Sequence, residues 1–156
     1  MLTERVLIVL DGSNFYHRLK ELGLGGLLQF GYLKFSQYLA GARAIVGRRY
    51  FIGAIREEPR NPKSRALMAD QQKLLGRLLK LGWEVQFGHM LKTESYHEKG
   101  VDVQMAVDLL AGAYEDLYDT AILVSSDTDL IPALKKIRQQ KKRVEYVGFS
   151  HKSTYG

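Results

Sequence analysis

The chain has 156 residues, of which 46% are hydrophobic and 26% are charged, and it contains three prolines and no cysteine. This length and composition predict a single domain with its own core and exclude disordered, collagen-like and coiled-coil proteins. The absence of cysteine excludes disulfides, thiolate zinc sites and a cysteine nucleophile. With 23 basic and 17 acidic residues the net charge is +6, which favours a polyanionic partner without identifying it.

The first apolar run covers residues 6–10 and ends at Asp11. This run is too short for the core of a signal peptide, and no other stretch approaches the length of a membrane span. The lack of cysteine fits a reducing compartment. We therefore expect a soluble, cytoplasmic protein without a membrane partner.

Strand-like and helix-like segments alternate along the chain. Strands are predicted over residues 6–10, 44–54, 83–87, 120–125 and 144–147. Helices are predicted over residues 15–22, 32–40, 64–81, 100–117 and 129–140, with Ser64 capping the third. Loops are predicted over residues 23–31, 56–63 and 89–98, the last of them mobile. This alternation predicts an α/β fold in which helices cover both faces of a five-stranded parallel sheet.

Acidic and amide side chains follow two of the predicted strands. Asp11 comes directly after the first strand, and Asn14 lies three residues later. Ser126 and Asp127 follow the fourth strand. Because ligands of an open parallel sheet bind outside the carboxyl ends of its strands, Asp11 and Asp127 converge on one crevice if these strands are neighbours. Asp102 lies in the first turn of the fourth helix, on its apolar stripe, and is expected to point to the same edge.

Carboxylates that share one crevice repel each other unless a cation neutralises them. Oxygen ligands without cysteine or an obvious histidine partner suit Mg²⁺ or Mn²⁺. Such an ion lowers the pKa of a bound water and neutralises charge that develops on a phosphodiester. The basic exterior would then hold the phosphate backbone. Candidate contacts to the backbone are Ser126, Arg48, Arg49, Arg56 and the basic run over residues 135–143.

Three motifs follow one another along the chain: VLIVLDGSN at residues 6–14, KGVD at residues 99–102 and VSSDTDL at residues 124–130. In sequence and order they resemble the motifs of LabA-like NYN domains, which belong to the PIN-like nuclease superfamily. The resemblance implies a Rossmann-like sheet in the order 3-2-1-4-5, which makes the first and fourth strands neighbours. It also implies metal-dependent endoribonuclease activity on RNA, which we expect to be single-stranded or looped.

The resemblance also implies roles for individual residues. The family's acids match Asp11, Asp102, Asp127 and Asp129. The first three would be metal ligands, and Asp129 a ligand or the base that positions a water. Asn14 matches an orienting asparagine, and Lys99 matches the family's lysine before the third motif and is a candidate contact to RNA. Residues 1–150 are expected to form the domain and residues 151–156 a C-terminal tail, where the family has a closing helix.

Two less specific interpretations stay open. Ser126 or Asp127 could simply cap the helix that follows, and the helix dipole favours Asp129 in its first turn. The chain could also be a catalytically inactive RNA-binding regulatory module of the same fold. Against this, RNA binding alone gains nothing from concentrated negative charge. A homo-oligomer is compatible with the sequence, which names no interface for one.

Overall fold

The computed structural model describes residues 2–24, 26–53, 60–92 and 96–149, and for residues 89–92 and 96–99 it describes the backbone alone. The strands in this part of the chain are β1 (Arg5–Asp11), β2 (Ala44–Ile52), β3 (Glu84–Phe87), β4 (His89–Lys92), β5 (Tyr96–Lys99), β6 (Thr120–Val124) and β7 (Arg143–Val147). Five of them form a parallel sheet in the order β3-β2-β1-β6-β7. Numbered within this sheet, the order is 3-2-1-4-5, which confirms the predicted fold.

Helices cover both faces of this sheet. They are α1 (Gly12–Glu21), α2 (Tyr32–Ala40), α3 (Pro62–Lys80), α4 (Val101–Tyr114) and α5 (Ile131–Gln139), and a 3-10 turn at Thr128–Leu130 precedes α5. The first three helices pack on one face, and α4 and α5 pack on the other. No helix in the described part of the chain is long and apolar enough to cross a membrane.

Strand β1 contributes to two separate cores. Val6, Ile8 and Leu10 pack with α1, α2 and α3, whereas Leu7 and Val9 pack with α4 and α5. All five side chains are at most 2% exposed. A central parallel strand that is buried on both faces must be apolar throughout. The first place at which β1 can present a polar side chain is therefore its carboxyl end.

Two helices begin earlier than the sequence predicts. Helix α1 begins directly after β1, because the Asp11 carboxylate accepts a hydrogen bond from the N–H of Asn14 (3.1 Å) and caps the helix. Helix α3 begins at Pro62 and is capped by Asn61 rather than Ser64. In both cases a short polar side chain satisfies a free N–H of the first turn, which moves the start of the helix towards the N-terminus.

One segment predicted to be a mobile loop has regular structure. The backbone of β4 pairs with that of β5 in antiparallel orientation, with His89 opposite Lys99. Half of the loop predicted over residues 56–63, residues 56–59, lies outside the described residues, as does the predicted tail over 151–156. The prediction of a tail therefore stays a prediction.

Candidate active site

The candidate site begins where β1 and β6 end side by side. These strands are parallel neighbours with Leu10 opposite Val124, so the next residues of the two strands, Asp11 and Ser125, emerge together. Asp11 is 6% exposed and Ser125 is fully buried. The Ser125 hydroxyl donates a hydrogen bond to Oδ2 of Asp11 (3.0 Å). The two strand ends that the sequence predicted to meet are thus joined directly.

Gly12 allows the chain to turn from β1 into α1 against the neighbouring strand β2. A Cβ atom at this position would lie 2.5 Å from the ring of Tyr50 and 2.8 Å from the carbonyl oxygen of Phe51. Any larger residue would therefore push the start of α1 away from the sheet, and Asp11 would move with it.

The Asp11 carboxylate lies in surroundings that disfavour its charge. Burial raises the pKa of Asp11 above its usual range, and the negative charges of Asp127 and Asp102 raise it further. Hydrogen bonds from Asn14 and Ser125 lower the pKa and partly offset this rise. A cation placed among these carboxylates would favour the ionised form of Asp11.

Asn14 connects α1 to the loop that follows β6. Its side-chain oxygen accepts a hydrogen bond from the N–H of Ser126 (3.0 Å), and its Nδ2 donates one to the Ser126 hydroxyl (2.9 Å). The same hydroxyl accepts a hydrogen bond from Nε of Arg18 (2.8 Å), which lies one helical turn further along α1. Nη1 of Arg18 donates to Glu21 (2.7 Å). These bonds fix the loop after β6 relative to α1.

Asp127 is held by hydrogen bonds of both its backbone and its side chain. Its N–H donates to the Ser125 hydroxyl (3.0 Å), and its carbonyl oxygen accepts from the hydroxyl of Tyr146 (3.0 Å). Oδ1 of Asp127 accepts from the N–H of Asp129 (2.9 Å) and caps the 3-10 turn. The capping role considered for Asp127 from the sequence is therefore present, and it leaves Oδ2 available to a ligand.

A cleft of about 510 Å³ opens above these residues. It is lined by Asp11, Ser13, Asn14, Arg18, Gly100, Val101, Asp102, Met105, Ser126, Asp127 and Thr128. Asp102 reaches it from the first turn of α4, as the helical stripe predicted. Three of the four acids proposed from the sequence thus line one cleft. Asp129 is exposed and is not among the lining residues.

The cleft suits a hard divalent cation, because Asp11, Asp102 and Asp127 offer carboxylate oxygens as ligands. Among the described residues, no three acidic, histidine or cysteine side chains are already arranged to hold a metal ion. Mg²⁺ does not require such an arrangement, since it is usually bound by one or two carboxylates together with waters and substrate phosphates. The chemistry of the cleft therefore fits an ion that is completed by water and substrate.

Two of the cations predicted to contact RNA lie outside the cleft. Arg49 forms ion pairs with Asp108 (2.5 Å) and Glu84 (3.5 Å), and Nε of Arg48 donates to the hydroxyl of Ser36 (2.8 Å). Both arginines lie within β2, and neither lines the cleft. Because these guanidinium groups are already bound within the domain, they are poor candidates for phosphate contacts.

Two other residues predicted to contact RNA fall where the structure gives no side chain. Arg56 and the side chain of Lys99 lie outside the described part of the chain. Ser126 does line the cleft, where its hydroxyl holds Asn14 and Arg18.

Sequence reasoning missed Arg18 and Ser125 as site residues. Arg18 lies four residues after Asn14, which places both on one face of α1. That signal was hidden because the helix was predicted to start after Asn14. Ser125 was seen in the motif after the fourth strand, but its contact with Asp11 depends on the pairing of β1 with β6.

Comparisons with known proteins agree with this fold. The model of the NYN domain family matches residues 5–155. A crystal structure of a protein of unknown function from Vibrio parahaemolyticus is similar, with a TM-score of 0.69 and 25% sequence identity, over 94% of this chain and 82% of that chain. A search of curated proteins found no significant match.

Proposed function

The chain belongs to the NYN domain family, and we propose that it is a metal-dependent endoribonuclease that hydrolyses RNA phosphodiester bonds. The NYN domain is a nuclease-type fold, which makes a nucleic acid the expected substrate. The observation that carries the proposal is that Asp11, Asp102 and Asp127, from three separate parts of the chain, line one cleft of a protein with a net charge of +6. A basic protein that gathers acids in a cleft is suited to hold a cation against a phosphate.

In this proposal Asp11, Asp102 and Asp127 hold the ion. When bound, Mg²⁺ or Mn²⁺ would activate a water and neutralise charge at the scissile phosphate. We assign no ligand role to Asp129, because its exposed side chain lies outside the lining of the cleft. Its N–H instead holds Oδ1 of Asp127, which orients that carboxylate.

The neighbouring polar residues position the carboxylates. Ser125 donates to Asp11 and accepts from the N–H of Asp127, so one hydroxyl sets the separation of two ligands. In this proposal Asn14 has an orienting role, which is supported by its hydrogen bond to the loop that carries Asp127. Hydrogen bonds of this kind keep ligands in place before the substrate binds.

Arg18 is proposed to bind a phosphate next to the scissile bond. It is the one cation that lines the cleft in the described part of the chain. Its Nε and Nη1 are bound to Ser126 and Glu21, which leaves Nη2 without a partner among the described residues. A guanidinium fixed in this way presents its remaining N–H groups with little loss of side-chain entropy.

Cleavage of a labelled single-stranded RNA tests the proposal directly. We expect cleavage with Mn²⁺ or Mg²⁺, none in EDTA, and loss of activity in the Asp11→Asn and Asp127→Asn variants. The matched control is Asp70→Asn, which removes the same charge from an exposed position on α3 and should remain active.

Metal binding can be measured without activity. Mn²⁺ should raise the Tm of the wild-type protein, because a ligand that binds only the folded state stabilises it, and the rise should disappear in Asp11→Asn. Wild-type protein that binds RNA without cleaving it would identify the inactive RNA-binding module instead. Equal cleavage by wild type and Asp11→Asn would identify a contaminating nuclease and contradict the proposal.

A further inference from the structure

A second cleft lies at the opposite edge of the sheet, where the strands begin. It has a volume of about 620 Å³. It is lined by Glu4, Arg43, Arg138, Lys141, Lys142, Arg143, Val144 and Glu145. These residues come from the starts of β1, β2 and β7 and from the end of α5. We call this group of residues the basic cleft.

The basic cleft carries an excess of positive charge. Its lining includes five cations and two carboxylates, so it accounts for half of the net charge of +6. Arg43 forms an ion pair with Glu145, and Lys142 forms one with Asp116. Arg138 and Lys141 have no ion-pair partner among the described residues. These two side chains are exposed and remain free for an anion.

The backbone around the basic cleft is ordered by hydrogen bonds. The Arg43 guanidinium donates to the carbonyl oxygens of Leu39 (2.8 Å) and Ala40 (2.9 Å), which end α2. Lys141 has a φ of 61°, and its N–H donates to the carbonyl oxygen of Arg138 (3.0 Å). This hydrogen bond closes a tight turn after α5 and fixes the backbone that carries the two free cations.

We propose that the basic cleft binds the phosphate backbone of a nucleic acid at a distance from the candidate active site. The inference deepens the proposed function, since the nucleic acid would be the RNA that is cleaved. The acidic cleft is poorly suited to hold many phosphates, whereas counterion release favours backbone binding at a cluster of free cations. Part of the basic run over residues 135–143, which the sequence suggests as a contact to the RNA backbone and which does not line the candidate active site, lies in this cleft.

The position of the basic cleft implies a dependence on RNA length. Strand β1 has seven residues and runs from one edge to the other, which separates the two clefts by about 20 Å at roughly 3.3 Å per residue. A short RNA that occupies the acidic cleft does not span this distance. A longer RNA can contact both clefts at once and gains affinity from the second contact.

Binding of labelled oligouridine, measured by fluorescence anisotropy in EDTA, tests the inference without requiring cleavage. The variant is Arg138→Gln with Lys141→Gln, and the matched control is Lys73→Gln with Lys80→Gln, which removes two exposed cations from α3. With an RNA of about 20 nucleotides, the variant should bind about tenfold more weakly at 150 mM salt, and the slope of log K against log salt should fall by about 1.4. An RNA of about four nucleotides cannot span the two clefts, and in EDTA it should bind at the basic cleft alone, so it should also bind the variant more weakly than the wild type.

The outcomes separate this inference from the proposed function. Reduced binding of the long RNA by the variant, with the control unchanged, supports the basic cleft even if the protein cleaves nothing. An unchanged affinity and salt slope in the variant would overturn the inference, as would an equal loss in the control. If the protein does cleave RNA, the same variant should raise KM for the long RNA and leave kcat unchanged.

Discussion

The Asp11 carboxylate both stabilises and destabilises the folded state. It caps α1 through the N–H of Asn14, which stabilises the fold. The same carboxylate is buried near Asp102 and Asp127, which makes its charge costly. A residue that served only as a cap would be favoured at an exposed position without acidic neighbours. Capping alone does not account for the burial of Asp11 among carboxylates, whereas the proposed metal site does.

Ser125 joins the two best-placed carboxylates, and its removal should affect both activity and stability. In Ser125→Ala, Asp11 loses a donor and the partly buried N–H of Asp127 loses its acceptor. We expect cleavage to fall about 10- to 100-fold, as for other residues that orient metal ligands. The free energy of unfolding should fall by about 1–2 kcal/mol because of the unpaired N–H.

Ser13→Ala is the matched control for this measurement. Ser13 lines the same cleft but is exposed, and its side-chain hydroxyl forms no hydrogen bond with the described residues. Cleavage rates and urea unfolding curves should therefore be close to wild type. If both serine variants behaved alike, the bridging role of Ser125 would be refuted.

Individual site residues could be predicted where the neighbouring sequence determines their position, and not where a tertiary contact does. Asp11 could be found from the sequence because it ends a buried apolar strand. Asp102 could be placed by helical periodicity, and the structure puts it in the cleft. The position of Asp129 outside the lining of the cleft could not be predicted, because it depends on the 3-10 turn that Asp127 caps. The pairing of Arg49 with Asp108 was equally hidden, since it joins β2 to α4.

At the scale of elements, the start of α4 decides where Asp102 points. Gly100 precedes the helix with φ 82° and ψ 17°, a left-handed conformation that side chains with a Cβ disfavour. It also lines the cleft. The left-handed turn brings the chain from β5 into α4 so that the first helical turn faces the ends of β1 and β6.

Replacing Gly100 with alanine should therefore destabilise the fold and reduce cleavage. The left-handed conformation should cost about 1 kcal/mol in the variant. Gly76→Ala is the matched control, because Gly76 lies inside α3 and a Cβ there would meet no atom within 4 Å. That substitution should stabilise the protein by about 0.5–1 kcal/mol. In urea unfolding, the free energy of unfolding should fall in Gly100→Ala and rise in Gly76→Ala. Changes of the same sign in both variants would contradict this account.

The elements themselves were predictable where one physical signal dominated. Continuous apolar runs identified the central strands, and the motif resemblance implied their order. Helix starts were less predictable, because Asp11 and Asn61 act as caps only in the folded backbone. The β4–β5 hairpin escaped detection because its sequence is polar and lacks the alternation that marks a strand.

At the scale of the whole molecule, charge is separated along the strand direction. The cleft at the carboxyl ends is lined by three carboxylates and one cation, whereas the basic cleft at the amino ends is lined by five cations and two carboxylates. The overall charge of +6 conceals this separation, because it is a sum over the chain. Under the proposed function, an RNA chain would meet the acidic cleft at one edge and free cations at the other.

The amino edge of the sheet is also closed by an ion-pair cluster that should respond to pH. Asp119 accepts hydrogen bonds from the backbone N–H of Arg5 (2.8 Å) and from Nη2 of its guanidinium (2.9 Å). These bonds lower the pKa of Asp119 to about 2. They tie the start of β1 to the residue before β6, so the cluster links two neighbouring strands of the sheet.

Asp119→Asn should consequently lower stability at neutral pH and have no effect in strong acid. The pKa of Asp119 is about 3.9 in the unfolded chain, so its folded carboxylate contributes stability above that pH. This contribution is lost as the pH falls from about 4 to about 2. Because the Asp119 side chain is 41% exposed, solvent screening limits the difference at pH 7 to about 1 kcal/mol or less. Urea unfolding of wild type, Asp119→Asn and the exposed control Asp70→Asn at pH 7, 4 and 2 measures this difference in the free energy of unfolding. If the difference between wild type and Asp119→Asn grew towards low pH, the charge of Asp119 would not stabilise the folded state.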